Sequence, residues 1–105
     1  MSIIDKFVKV GILGFIVSIL ILPTQAEGNK TARNLAATCA QCHGTNGKPA
    51  NDSIGVLAGM DKAELIQLVN DFRDDIQPSP IMGQIAKGYT KEQIEMIAEY
   101  FSEIK

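Results

Sequence analysis

Five consecutive residues, Cys39-Ala40-Gln41-Cys42-His43, hold the most reactive side chains of this chain. Cys39 and Cys42 are its two cysteines and His43 its one histidine, among 105 residues. Two thiols three positions apart, followed at once by an imidazole, make the C-x-x-C-H pattern that attaches a c-type haem. The thiols add across the two vinyl groups of the porphyrin and become thioethers. Two residues between them match the separation of those groups on one helical turn. His43, next in the chain, is then close enough to ligate the iron. Other uses of these residues are weaker. A thioredoxin-like dithiol wants a strand before the motif and a β-rich domain around it, and neither pattern occurs. A structural zinc site needs a fourth ligand, and these three are crowded. A disulfide across so short a loop is strained.

An iron with one imidazole has a sixth position to fill. Gln77-Pro78-Ser79-Pro80-Ile81-Met82-Gly83 contains the candidate. Pro78 and Pro80 predict a stiff, extended loop, and Gly83 lets the backbone come close. Met82 between them is expected to offer its thioether as the distal ligand. His/Met ligation raises the haem potential and suits electron transfer better than substrate chemistry. The competing reading is that Met82 fills a core gap, the usual work of methionine. Met60, directly before Asp61, reads as a hydrophobic staple onto Leu65, and Met96 as surface or packing on the last helix.

Elements must bring these residues together. Ala32, Leu35, Ala36 and Cys39 recur at helical spacing and predict a helix over 31–40 that delivers the motif at its end, with Gly44 as the stop. Residues 45–60, rich in Gly, Pro, Asn and Asp, predict a loop. Its bulky apolar residues, Ile54, Val56 and Leu57, are expected to cover the proximal face of the haem. A backbone carbonyl in this loop is the expected acceptor for the second ring N–H of His43, which fixes the imidazole. Asp61 and Glu64 form a capping-box variant before the stripe Leu65, Leu68, Val69 and Phe72, widened by Ile66. Pro78 requires that helix to be over by Gln77. Ile85, Ala86 and Tyr89 predict a short helical turn closed by Gly88. Thr90 and Gln93 form a capping box for a last helix whose stripe is Ile94, Ile97, Ala98 and Phe101, with Glu92, Glu95, Glu99 and Glu103 facing water. That helix is expected to cross the one carrying the cysteines. The fold class is all-α: three main helices and one short turn around one covalently attached haem.

Residues 1–26 read as a secretory signal peptide. Lys6 and Lys9 are its positive start, residues 10–22 its apolar stretch, and Thr24 and Ala26 the small residues before a cut after Ala26. The apolar stretch is shorter than the ~20 residues of a spanning helix; an uncleaved anchor is the alternative. The domain then occupies 27–105, small for an unaided core, and a haem offsets the deficit. Export places it in the periplasm, with membrane contact only during export, on the side of the membrane where haem is attached. From Glu27 onward the chain carries 8 Lys and Arg against 11 Asp and Glu, a net charge of −3. Nucleic-acid binding does not suit that balance.

These residues resemble a class I cytochrome c. Cys39-Ala40-Gln41-Cys42-His43-Gly44 is similar to the haem signature of that family, and Met82 falls where its sixth ligand is found. Leu57-Ala58-Gly59 and Ile81-Met82-Gly83-Gln84-Ile85-Ala86-Lys87-Gly88-Tyr89-Thr90 resemble the cytochrome subunits of flavocytochrome c sulfide dehydrogenases and related diheme periplasmic cytochromes. The chain departs from them in having Gly55 where a proline often stands, and Met60 where Gln is expected. One motif specifies one haem c. The resemblance implies single-electron transfer with no substrate bond made or broken, so not an enzyme by itself. It implies redox protein partners, with an FAD-containing sulfide dehydrogenase subunit as the specific one. Lys48, Lys87 and Lys91 are expected either to steer an acidic partner to the haem edge or to be ordinary solvated lysines. The function of another class is a five-coordinate haem that senses gas or reduces peroxide, which requires Met82 to be off the iron.

Overall fold

The computed structural model describes residues 25–105. The signal peptide expected over residues 1–26 lies outside the described residues except for its last two positions. Four α-helices and one 3-10 turn follow in order: α1 (Gln25–His43), the turn (Thr45–Gly47), α2 (Lys62–Arg73), α3 (Pro80–Lys87) and α4 (Lys91–Ser102). No strand occurs among the described residues. None of their helices is long and apolar enough to cross a membrane.

Helix α1 is longer than the expected 31–40 at both ends. Its first turns contain Glu27, Asn29 and Lys30, which lack the apolar spacing by which a helix is recognised but contain no proline to stop one. At the other end it runs through Cys42 and His43, so the whole motif is helical. Gly44 ends it. Its amide still donates to the Ala40 carbonyl at 3.0 Å, but its φ of +84° is a left-handed value that favours glycine. A Cβ on Gly44 would also collide with the Lys48 carbonyl.

The chain then folds back on itself. The Gly47 carbonyl accepts from the amides of Leu57 (2.9 Å) and Ala58 (3.2 Å), closing the loop between them. Gly59 donates to the Phe101 carbonyl at 2.9 Å and ties that loop to α4. Asp61 caps α2 as expected, its carboxylate accepting from the Glu64 amide at 3.1 Å. At the start of α4, Thr90 and Gln93 complete both bonds of the capping box, at 2.9 and 3.1 Å.

The core is small. Ala36, Leu65, Ile97, Ala98 and Phe101 form its buried cluster, with Ala32, Ala86 and Ile94 also buried. Alanines Ala32 and Ala36 on α1 and Ala98 on α4 permit the close packing of these two helices, which meet as expected. Helix α2 packs on α3 and α4. Phe101 and Ile94 are the largest side chains fully removed from solvent. All four residues of the expected α4 stripe are buried, and Glu92, Glu95, Glu99 and Glu103 are exposed.

Leu57 packs on the core cluster, while Ile54 and Val56 are exposed. One expectation needs correction here. The segment after Pro78 is not an extended loop leading to a short turn. Pro80 is the first residue of an eight-residue helix that already contains Met82. The reason lies in the proline itself, which lacks the N–H that a first helical position leaves unpaired and has φ preset for a helix.

Candidate functional site

Cys39, Cys42 and His43 share the last turn of α1. Positions i, i+3 and i+4 of a helix lie on one face, so both thiols and the imidazole emerge on the same side. Cys39 is half-buried against the core and Cys42 is exposed; neither is in a disulfide. Burial pushes the Cys39 thiol above its ordinary pKa, which lowers its thiolate fraction, and the thiolate is the reactive form. In the haem-free polypeptide at neutral pH, iodoacetamide is therefore expected to modify Cys42 before Cys39. Peptide mass mapping of a partly alkylated sample checks this; equal labelling would contradict the packing of Cys39.

The ring of His43 is oriented by the loop opposite. Its Nδ1 lies 2.7 Å from the Gly55 carbonyl oxygen. A carbonyl only accepts, so Nδ1 is the protonated nitrogen and donates. In the neutral ring this tautomer leaves Nε2 with the lone pair, the form in which an imidazole binds a metal. The carbonyl expected somewhere in residues 45–60 is thus that of Gly55. Its backbone is not left-handed, and an added Cβ there would meet nothing within 4 Å.

Met82 comes from a different part of the fold. It is the third residue of α3, half-buried, and its amide donates to the Ser79 hydroxyl at 3.1 Å. Helix α3 packs chiefly on α2, so the thioether and the imidazole are carried by different elements. The rival methionines differ. Met60 packs on the core cluster, as its staple role requires, and Met96 is half-buried within α4. Met82 is not among the side chains packed on that cluster.

This arrangement fits a porphyrin. Among the described residues no three His, Cys, Asp or Glu side chains converge so as to hold a bare metal ion, whereas two thiols and an imidazole on one helical face suit a tethered planar group. Large apolar side chains are also left uncovered by polypeptide: Ile54 and Val56 beside Gly55, and Ile81 beside Met82, the last 69% exposed. An apolar plate carried by the Cys39–His43 turn is the kind of group that such residues would cover. Sequence patterns did not reveal Ser79 as a cap. The signal was present, since a serine followed by proline is a helix-start pattern.

The lysines do not form a free basic patch. Lys87 donates to both carboxylate oxygens of Asp75 at 3.1 Å. Lys48 donates to the Lys105 carbonyl at 2.7 Å, and Lys91 is exposed.

The family model for cytochrome c matches residues 26–105. The cytochrome subunit of sulfide dehydrogenase from Chlorobaculum tepidum is 39% identical over 70 residues, covering 67% of this chain and 63% of that protein. Cytochrome c-553 from Helicobacter pylori is 33% identical over 72 residues, covering 68% of this chain and 75% of the relative. A thiosulfate dehydrogenase electron acceptor from Stutzerimonas stutzeri is 30% identical over 69 residues, covering 63% of this chain but only 32% of that longer protein. With a family match over the entire helical domain, four helices and no strand among the described residues, and one C-x-x-C-H turn, the chain belongs to the cytochrome c family, as a monohaem electron-transfer protein whose cofactor is covalently attached haem c.

Proposed function

We propose that Cys39 and Cys42 carry the haem as thioethers, that His43 and Met82 are the axial ligands, and that the protein accepts electrons from a dehydrogenase acting on a reduced inorganic sulfur compound. The observation that carries the ligand assignment is the 2.7 Å bond from His43 Nδ1 to the Gly55 carbonyl, because it leaves Nε2 as the donor atom. Bound haem supplies one-electron exchange between ferrous and ferric iron. The polypeptide supplies the rest. The Gly55 carbonyl orients the imidazole and raises its basicity. With the haem bound, Ile54, Val56 and Ile81 would cover apolar surface and exclude water, and the Met82 thioether would favour the ferrous state.

The reading of the partner draws on two relatives whose names tie them to sulfide and thiosulfate dehydrogenases. A flavoprotein subunit carrying FAD is the partner class proposed for this chain, and the periplasm its compartment, reached after removal of residues 1–26. Purification from the native host under mild conditions is expected to yield the chain together with a larger, yellow, FAD-containing polypeptide, and sulfide is expected to reduce the haem in that preparation. A haem protein isolated alone, and reduced by sulfide no faster with the flavoprotein fraction than without it, would instead identify a free carrier.

A further inference from the structure

Met82 is half-buried. It lies outside the set of side chains packed on the core, and its neighbour Ile81 is largely exposed. Three backbone-level features fix the turn it occupies. Ser79 caps α3, its hydroxyl accepting from the Met82 amide itself at 3.1 Å. Pro80 occupies the first helical position, with φ preset and no N–H to satisfy. Gly83 is buried against the end of α2, where an added Cβ would lie 3.5 Å from the Phe72 carbonyl oxygen. Pro80 and Gly83 restrict the chain on either side, and the Ser79 side chain bonds directly to the Met82 amide.

We infer that Ser79 is a positioning residue for the Met82 thioether: its hydroxyl holds the first turn of α3 wound, and so keeps the sulfur on the iron. The inference rests on Met82 being the distal ligand. Its physical basis is local. An N-cap serine removes one unpaired amide from the start of a helix, and without it the first turn frays. Residue 82 is the third residue of that turn, so fraying there displaces the ligand directly. Opening of this kind is local and involves little of the core.

The consequence is measurable through ligand competition. Free imidazole binds the ferric iron only in molecules whose sixth position is open, so its apparent affinity scales with the open fraction. Ser79→Ala is expected to tighten apparent imidazole binding by about 5-fold, within the roughly 2- to 30-fold range set by the loss of a cap. Ser79→Thr, which keeps the hydroxyl, is expected to restore most of the wild-type value. Thr90→Ala is the control. It removes the cap of α4 and destabilises the fold by a similar mechanism, but it is expected to leave imidazole affinity within about twofold of wild type, because residue 82 is not in its turn. All three are measured on the haem-loaded protein by optical titration, with urea unfolding alongside.

The outcomes separate two questions. A sulfur-to-iron charge-transfer band in the near-red of the wild-type ferric spectrum establishes Met82 as ligand, and its loss in Met82→Ala assigns it; without the band the underlying ligand assignment fails. With the band present, unchanged imidazole affinity in Ser79→Ala overturns the positioning role. Equal tightening in Ser79→Ala and Thr90→Ala overturns it too, since the opening would then be global.

Discussion

Met82→Ala is expected to turn the ferric protein from six-coordinate and low-spin to a predominantly high-spin form, and to lower its midpoint potential by on the order of 0.1 V, part of the ~0.8 V range over which axial ligands act. The thioether is a soft donor that favours ferrous iron; water or an open position does not. Neither Met60 nor Met96 is expected to replace it. Met60 is engaged with the core, and moving it would open a cavity there. Met96 lies inside α4, between buried positions Ile94 and Ile97. Met82→His separates ligation from folding: it is expected to restore a low-spin spectrum without the sulfur band and with a potential still below wild type. Optical spectra and a redox titration check this. A Met82→Ala protein with the wild-type spectrum would remove Met82 from the site and reopen the alternative methionines.

The second large effect concerns stability. Phe101→Ala is expected to cost about 3–5 kcal/mol. Phe101 is fully buried, and with Ile94 it is one of the two largest side chains so placed. Its ring is edge-on to Tyr100, with centroids 5.3 Å apart. Its Cδ1 lies 2.9 Å from where a Cβ on Gly47 would stand, so the ring fills the space that glycine leaves, directly after the haem-binding turn. Removal leaves a cavity at the junction of α1, α4 and the loop, lined by residues already packed on other neighbours. A cost of that size consumes much of the ~5–15 kcal/mol by which domains are ordinarily stable. Urea unfolding followed by circular dichroism measures it. A loss below about 1 kcal/mol would mean that the cofactor, and not this ring, organises the centre of the fold.

Much of this architecture could be read from residue order, and the exceptions have physical causes. Helix α4 was legible in full because its apolar stripe, polar face and capping box all agree, and all three are realised. The start of α2 was legible for the same reason, through Asp61. Helix α1 was recognised only where its apolar spacing runs. Its polar beginning contains nothing periodic, and beyond Cys39 its last turn, Ala40 to His43, offers no bulky apolar residue to continue the spacing. Helix α3 was misjudged at its beginning because one proline supports two structures. Pro80 stiffens an extended strand of chain equally well, and only Ser79 before it indicates a helix start.

The site divides similarly. Cys39, Cys42 and His43 stand out because no other residue in the chain competes for their chemistry, and the structure carries all three at the end of one helix. Met82, expected on an extended loop, lies in a helix. The hydrogen-bond partner of His43 could be anticipated only as a backbone carbonyl, since Gly55 offers no side chain to signal it. The fate of the lysines was not legible at all. Lys87 meets Asp75 twelve residues away, across the connection between α2 and α3, and Asp75 reaches that position from a left-handed backbone with φ +58°. The net value of such an exposed pair is small, but it removes Lys87 from any free basic surface.

One measurement bears most directly on the whole account: the intact mass of the protein purified after expression with haem-ligation machinery, under denaturing conditions that strip non-covalent groups. The account predicts the mass of the polypeptide plus one haem, and loss of that added mass in the Cys39→Ala, Cys42→Ala double variant. A colourless wild-type product with the mass of bare polypeptide would contradict it.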